Sequence, residues 1–308
     1  MTELDGLPLR GGCGGFAIHS ALTFATLRPG TGQPLRVVHV PTSEERTDRP
    51  LVQWAPRPGN PFAGRLHRDG SGYAFWASDA GWFMIDTARG VIGCSEPELT
   101  LRRELRLFGV PLSISAFAAG DVSLHGAAVE LSGRAVLLAG PSQYGKTTLA
   151  TAFAAAGHRL LSEDSSRCGT AGGPHLFPGP ALARLRADVA DAVTIPDAEV
   201  SQADGDRHPL LIPAERRGDA TAVPLHTIVL LRESTGAVEL RSYDPRAAAR
   251  DLLALTFVPP EREALAAAFE RLVDLIAAVE VVEIHRPKRR DALPAVVSLL
   301  ERHVEAGP

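Results

Sequence analysis

The chain has 308 residues, 45% of them hydrophobic and 22% charged, with a net charge of −4. That length supports a large core in one extended domain or two, and the composition is that of a globular protein rather than a disordered or fibrous one. A slightly acidic balance without a long basic run argues against a nucleic-acid partner, and no apolar run approaches the ~18 residues of a membrane helix.

The first residues carry no charged-then-apolar signal segment, and Cys13, Cys94 and Cys168 are widely spaced in no metal-ligand pattern. Both features lead us to expect a cytoplasmic protein with buried free thiols and no membrane association. Residues 1–10 and the glycine-rich stretch 11–15 read as a loose terminus. From Phe16, short runs such as PLRVVHV (34–40), LVQWA (51–55), YAFWA (73–77) and GWFMIDT (81–87) lie between Pro, Gly and Asp turns. This pattern predicts a small antiparallel sheet over residues 16–96. All three tryptophans, Trp54, Trp76 and Trp82, fall there. With few basic neighbours, they read as core packing and not as a base-stacking platform. Residues 97–120 read as helical with a break near Gly109–Pro111, a link from a β-rich region (1–110) to an α/β domain (111–308).

The stretch from 124 to 167 organises the rest. Gly140-Pro141-Ser142-Gln143-Tyr144-Gly145-Lys146-Thr147 matches G-x-x-x-x-G-K-[ST], the phosphate-cradling P-loop. Its context is right: RAVLLA (134–139) suits a buried strand, and the alanine-rich run from Thr147 to Ala156 suits a helix stopped by Gly157. Gly140 and Gly145 permit backbone angles that let successive N–H groups turn onto an anion, and the helix adds the positive end of its dipole. Lys146 is expected to reach the β- and γ-phosphates, and the Thr147 hydroxyl to hold magnesium. Residues Gly140 to Thr148, Thr148 included, are the candidate nucleotide-binding set. Composition supports the match: the only lysines are Lys146 and Lys288, against 30 arginines among 32 basic residues.

Glu163-Asp164 follows a short apolar run, 17 and 18 positions after Lys146. A carboxylate pair at the C-terminal end of a strand beside a P-loop can hold magnesium with one member and take a proton with the other. His125-Gly126 precedes the P-loop strand; a lone histidine is more often structural than functional.

Further along, 169–181 reads as a Gly/Pro-rich loop, 182–195 as partly helical, and 200–222, with Asp204 and Asp206, as a mobile polar segment. A strand at 226–232 is expected to pair with 237–243. Asp244-Pro245 opens a helix to about Thr256, 261–280 is the clearest amphipathic helix, 281–285 is a strand, and Pro294 opens a last helix. Strands alternating with helices indicate an α/β core. Arg184, Arg186, Arg207, Arg216, Arg217 and the basic cluster 286–290 are candidates for phosphate or acceptor contacts. Taken singly, each reads as solvated surface charge.

Residues 120–168 resemble the HPr kinase/phosphorylase family: HG ahead of the P-loop strand, the loop itself, then GHRL and an acidic pair before a further strand. The resemblance implies a phosphoenolpyruvate-carboxykinase-like α/β core, ATP and Mg2+ as ligands, and phosphoryl transfer to a serine hydroxyl. By position it gives Asp164 and Thr147 to the metal, Glu163 to the proton, and His125 to a place near the γ-phosphate, making Glu163, His125 and Lys146 the catalytic candidates. The family often forms rings, which implies a homo-oligomer. Two departures stand out: Glu163 where an aspartate is usual, and Gln143-Tyr144 where the loop commonly has a glycine. The layout outside this window is similar to HPr-kinase-like proteins of peptide natural-product clusters, some of which phosphorylate a serine of a precursor peptide. The expected function is therefore an ATP- and Mg-dependent kinase of a serine or threonine hydroxyl on a peptide or small protein. A kinase of a small-molecule hydroxyl, an inactive nucleotide-binding regulatory protein and a P-loop ATPase driving motion are the alternatives.

Overall fold

The computed structural model describes residues 6–42, 46–57, 61–186, 195–201 and 207–307, among which no helix is long and apolar enough to cross a membrane. Eight strands form the first sheet: β1 (Leu9–Cys13), β2 (Phe16–His19), β3 (Gln33–His39), β4 (Val52–Trp54), β5 (Gly64–Asp69), β6 (Gly72–Ala77), β7 (Gly81–Asp86) and β8 (Val91–Cys94). Their order is β1-β2-β3-β8-β7-β6-β5-β4. The sheet is mixed and not purely antiparallel: β3 runs parallel to both β2 and β8. Strands joined by tight turns, β5 through β8, pair antiparallel. Long connections instead return the chain to the same end, where parallel pairing is the available geometry. The glycine-rich start is also a strand and not a loose terminus, since β1 pairs with β2.

Helices α1 (Leu101–Leu107) and α2 (Val110–Ala118) break at Gly109, as expected, and Pro111 sits in the first turn of α2, where no N–H is needed. Leu107, Phe108, Leu112 and Ile114 pack against Phe75, Phe83, Ile85 and Ile92. Each such burial contributes about 1.5–3 kcal/mol.

The rest of the chain runs β9 (Val122–Leu124), β10 (Gly126–Leu131), β11 (Arg134–Ala139), α3 (Lys146–Ala155), β12 (Arg159–Ser162), β13 (Ser166–Gly169), β14 (His175–Phe177), β15 (Leu182–Arg186), β16 (Glu199–Val200) and β17 (Arg207–Leu211). It continues with α4 (Ala214–Arg217), β18 (Val223–Glu233), β19 (Glu239–Ser242), α5 (Pro245–Leu253), β20 (Thr256–Phe257), α6 (Arg262–Ala278), β21 (Glu280–Arg286) and α7 (Leu293–Ala306). A ten-stranded mixed sheet has the order β12-β10-β11-β18-β14-β13-β9-β20, with β21 also on β18 and β19 on β21. The P-loop strand β11 runs parallel to β18, and β18 parallel to β21. Alternation along β11 feeds both faces. Val136 and Leu138 pack with Phe153 of α3 and Leu300 of α7, while Leu137 packs with Leu252 of α5 and Leu272 of α6. The molecule is thus mixed α/β.

Several expectations change here. Residues 182–186 form a strand where a partial helix was expected; 187–194 lie outside the described residues. The Leu182-Ala183 and Leu185 positions face the core, and the run pairs antiparallel with β17, which takes up part of the segment expected to be mobile. Asp204 and Asp206 lie outside the described residues. β14 forms within the expected loop, and β19 pairs with β21 instead of β18.

Buried Arg28, 1% exposed, ties the first sheet's side of the molecule to the second sheet at β12. Its guanidinium donates to the carbonyls of Leu160 and Leu161 at 2.9 Å and of Gly179 at 2.7 Å. Those contacts fix β12 just ahead of Glu163.

Candidate active site

The glycine-rich loop that matches the P-loop motif, Gly140 to Thr147, turns between β11 and α3. Gly145 has φ +81° and serves as the N-cap of α3 with no side-chain cap, so the helix presents unsatisfied N–H groups. Gln143, where the resembled family commonly places a glycine, adopts φ +68°, and Asp164 adopts φ +70°. Left-handed backbone at non-glycine residues costs about 1–2 kcal/mol and concentrates at functional sites.

Lys146 is only 7% exposed, and its ammonium donates to the carbonyls of Gly140 at 2.8 Å and Pro141 at 2.9 Å. Burial lowers its pKa, an effect that Asp164 and Glu163 partly oppose. Thr147 Oγ1 donates to Glu163 Oε1 at 2.7 Å. Burial raises the Glu163 carboxyl; Arg184 opposes this and the neighbouring Asp164 charge adds to it. Asp164 is half exposed. The cleft walls desolvate it, which acts upward, but Arg184 at 2.8 Å and then His125 outweigh this and hold it well below the usual carboxylate range. His125 Nδ1 lies 2.9 Å from the Asp164 carbonyl and 3.3 Å from its Oδ1. A carbonyl only accepts, so this arrangement places a proton on Nδ1.

A cavity of about 390 Å3 unites these groups. Among the described residues, Lys146, Arg184, Arg186, Arg207, Arg286, Lys288, Arg289 and Arg290 line it, against the carboxylates of Glu163 and Asp164. Both lysines of the chain are present. Such an excess of cations in a chain of net charge −4 focuses a field that suits a polyanion.

The structure therefore gathers His125, Ser142, Gln143, Gly145, Lys146, Thr147, Thr148, Glu163 and Asp164 around one space. Gly140 and Pro141 meet the Lys146 ammonium through their carbonyls, and Tyr144 packs its ring on the core. Among the arginine candidates, Arg184, Arg207 and Arg286 turn inward and are not solvated surface charge, whereas Arg186 lines the cavity from an exposed position. Arg216 and Arg217 stay on α4; Arg216 donates to the Gly157 carbonyl at 3.2 Å.

Arg286 is the residue the sequence reading undervalued. It is 5% exposed, donates from Nη2 to the Tyr144 carbonyl at 2.6 Å, and burial lowers its pKa. The signal was available: Val282, Ile284 and Arg286 alternate on the buried face of β21.

Among the described residues no cluster of three or more His, Cys, Asp or Glu could hold a metal alone. A magnesium ion bound with nucleotide needs less, because it keeps waters and takes phosphate oxygens. Thr147 and Glu163 fit that partial set, and the uncapped α3 and buried Lys146, whose hydrogen bonds go to neutral carbonyls, fit the phosphates.

No family model matches the sequence, and no curated protein matches it. Among solved structures the chain is similar to the HPr(Ser) kinase/phosphatase from Coxiella burnetii, with 14% identity and a TM-score of 0.34, covering 60% of this chain and 97% of that one.

Proposed function

We propose that the protein is an ATP- and Mg-dependent kinase, built on a phosphoenolpyruvate-carboxykinase-like P-loop core, that phosphorylates a serine or threonine hydroxyl of a peptide or small protein. The observation that carries this reading is the 2.7 Å contact of Glu163 with the P-loop hydroxyl of Thr147, beside buried Lys146 in a cation-lined cavity. A carboxylate so placed serves nucleotide-bound magnesium. Bound there, the ion would neutralise charge on the transferring phosphate.

The resemblance assigns Asp164 to the metal and Glu163 to the proton; the distances favour the exchange. Glu163 is buried against Thr147, whereas Asp164 is exposed in the cleft, where an acceptor hydroxyl can reach it, and reach takes precedence over pKa in choosing a base. In this reading Lys146 and the loop N–H groups hold the β- and γ-phosphates. The inward arginines stabilise the equatorial oxygens. Asp164 accepts the hydroxyl proton while the acceptor oxygen bonds to the γ-phosphorus and ADP departs with the electron pair of the broken bond. His125 and Arg184 fix the Asp164 carboxylate.

Intact-mass spectrometry after incubation with ATP, Mg2+ and serine-containing peptides tests this. A peptide gaining one phosphate with wild type, and none with Lys146→Ala, is the expected result. Turnover unchanged in Lys146→Ala, or ATP bound without transfer to any hydroxyl, would refute it.

A further inference from the structure

A second cavity, of about 690 Å3, opens beside the phosphate site between the first sheet and the P-loop domain. Half-buried Trp54, Phe62 and Phe257 contribute aromatic wall, while His125, Asp164 and Arg184 line both this cavity and the first one. The two spaces meet at the exposed carboxylate of Asp164.

Two sheet edges border the second cavity. β4, which carries Trp54, ends the first sheet and pairs with β5; β20, which carries Phe257, ends the second and pairs with β9. Their outer backbone groups have no strand partner among the described residues. Such edges are templates for an added strand, with main-chain hydrogen bonds giving affinity and side-chain pockets giving selectivity. Charge narrows the occupant further: among the described residues Arg57, Arg106 and Arg184 line the space with Asp164 as the carboxylate, and while Arg106 is paired with Asp79 and Arg184 with Asp164, Arg57 adds positive charge at the exposed rim. A free small alcohol would leave both edges and the aromatic wall unused.

Building on the kinase reading, we infer that this cavity is the acceptor site and takes an extended peptide of neutral or acidic charge. The peptide lies along a strand edge, seats a bulky apolar side chain against Trp54 and Phe257, and delivers a neighbouring serine or threonine hydroxyl to Asp164. Transfer forms the bond from that oxygen to the γ-phosphorus, breaks the bond to ADP, which keeps the electron pair, and moves the hydroxyl proton to the Asp164 carboxylate.

The test uses the full chain, γ-labelled ATP and a degenerate peptide library with a fixed central serine. Ala55, exposed on the cavity wall, is replaced in Ala55→Trp, which fills the space without removing any packed side chain; Phe257→Ala is the second variant. The expected result is selection of aromatic or large aliphatic residues near the serine. Peptide KM should rise at least about tenfold in Ala55→Trp, with ATP affinity measured by calorimetry unchanged in both variants. Library phosphorylation without apolar selection, and with KM unmoved in both variants, overturns the acceptor site and leaves the kinase reading intact. ATP binding with transfer to glycerol or free serine but to no peptide overturns the acceptor site and the peptide target with it, while leaving the phosphoryl-transfer chemistry intact. Absence of ATP binding by wild type overturns the kinase reading itself.

Discussion

Gly145→Ala isolates what the loop requires. At φ +81° an L-residue costs about 1–2 kcal/mol. The new Cβ would also stand 2.6 Å from Arg286 Nη2, and that guanidinium, 5% exposed, cannot swing away without giving up its bond to the Tyr144 carbonyl. A charged hydrogen bond contributes about 1.5–3 kcal/mol, so the loop loses about 2.5–5 kcal/mol. Spent on holding the phosphate-binding conformation, this lowers ATP affinity about fiftyfold or more, since 1.4 kcal/mol is a factor of ten. Gly133→Ala is the control. Its φ is +77° and nothing lies within 4 Å of the added carbon, so stability should fall by about 1–2 kcal/mol in urea unfolding with ATP affinity unchanged. Calorimetric ATP titration of both variants decides. Affinity of Gly145→Ala within about threefold of wild type would refute the assignment of Arg286 as a strut under the loop.

Glu163→Gln keeps an oxygen for the Thr147 hydroxyl but removes the buried charge; ATP still binds, while transfer falls by about a hundredfold or more in a steady-state assay. The same variant has a stability signature. The folded Glu163 pKa is raised by burial, so the folded state binds more protons than the unfolded one between the ordinary carboxylate value and the raised one, and ligand-free stability falls as pH rises through that window. Thermal melts of Glu163→Gln should exceed wild type at neutral pH and converge with it at about pH 4; a lower melting temperature at neutral pH would contradict this. Away from the cavity, Arg167 donates to Asp121 at 2.7 Å and to the Gly14 carbonyl at 2.6 Å, sandwiched between Phe16 and Phe177. Asp121→Ala strands that charge and should cost about 3–5 kcal/mol in chemical unfolding.

The local half of the site was legible because it is contiguous: strand, glycine turn, lysine and helix occupy consecutive residues, and Glu163-Asp164 follow one short helix later. The long strand and helices after residue 223 were legible for the same reason, while the two-residue β20 at Thr256–Phe257 was not, being too short to leave a pattern. What the sequence hid is long-range. Nothing local shows that β3 lies between β2 and β8, because parallel pairing is decided by where the long connections return. Leu182–Arg186 is short enough to fit either helix or strand and becomes a strand by pairing with β17. The assembly of Arg184, Arg207 and Arg286 around one cavity joins three strands far apart in the chain, so each looked like surface charge alone.

The most direct measurement is a single-turnover reaction with ATP labelled at the γ- or the α-phosphate, run with Mg2+ and the serine peptide library on wild type and Lys146→Ala. The account predicts that γ-label moves to peptide, α-label does not, and Lys146→Ala moves neither. Equal transfer by Lys146→Ala, or no nucleotide bound by wild type, would contradict it.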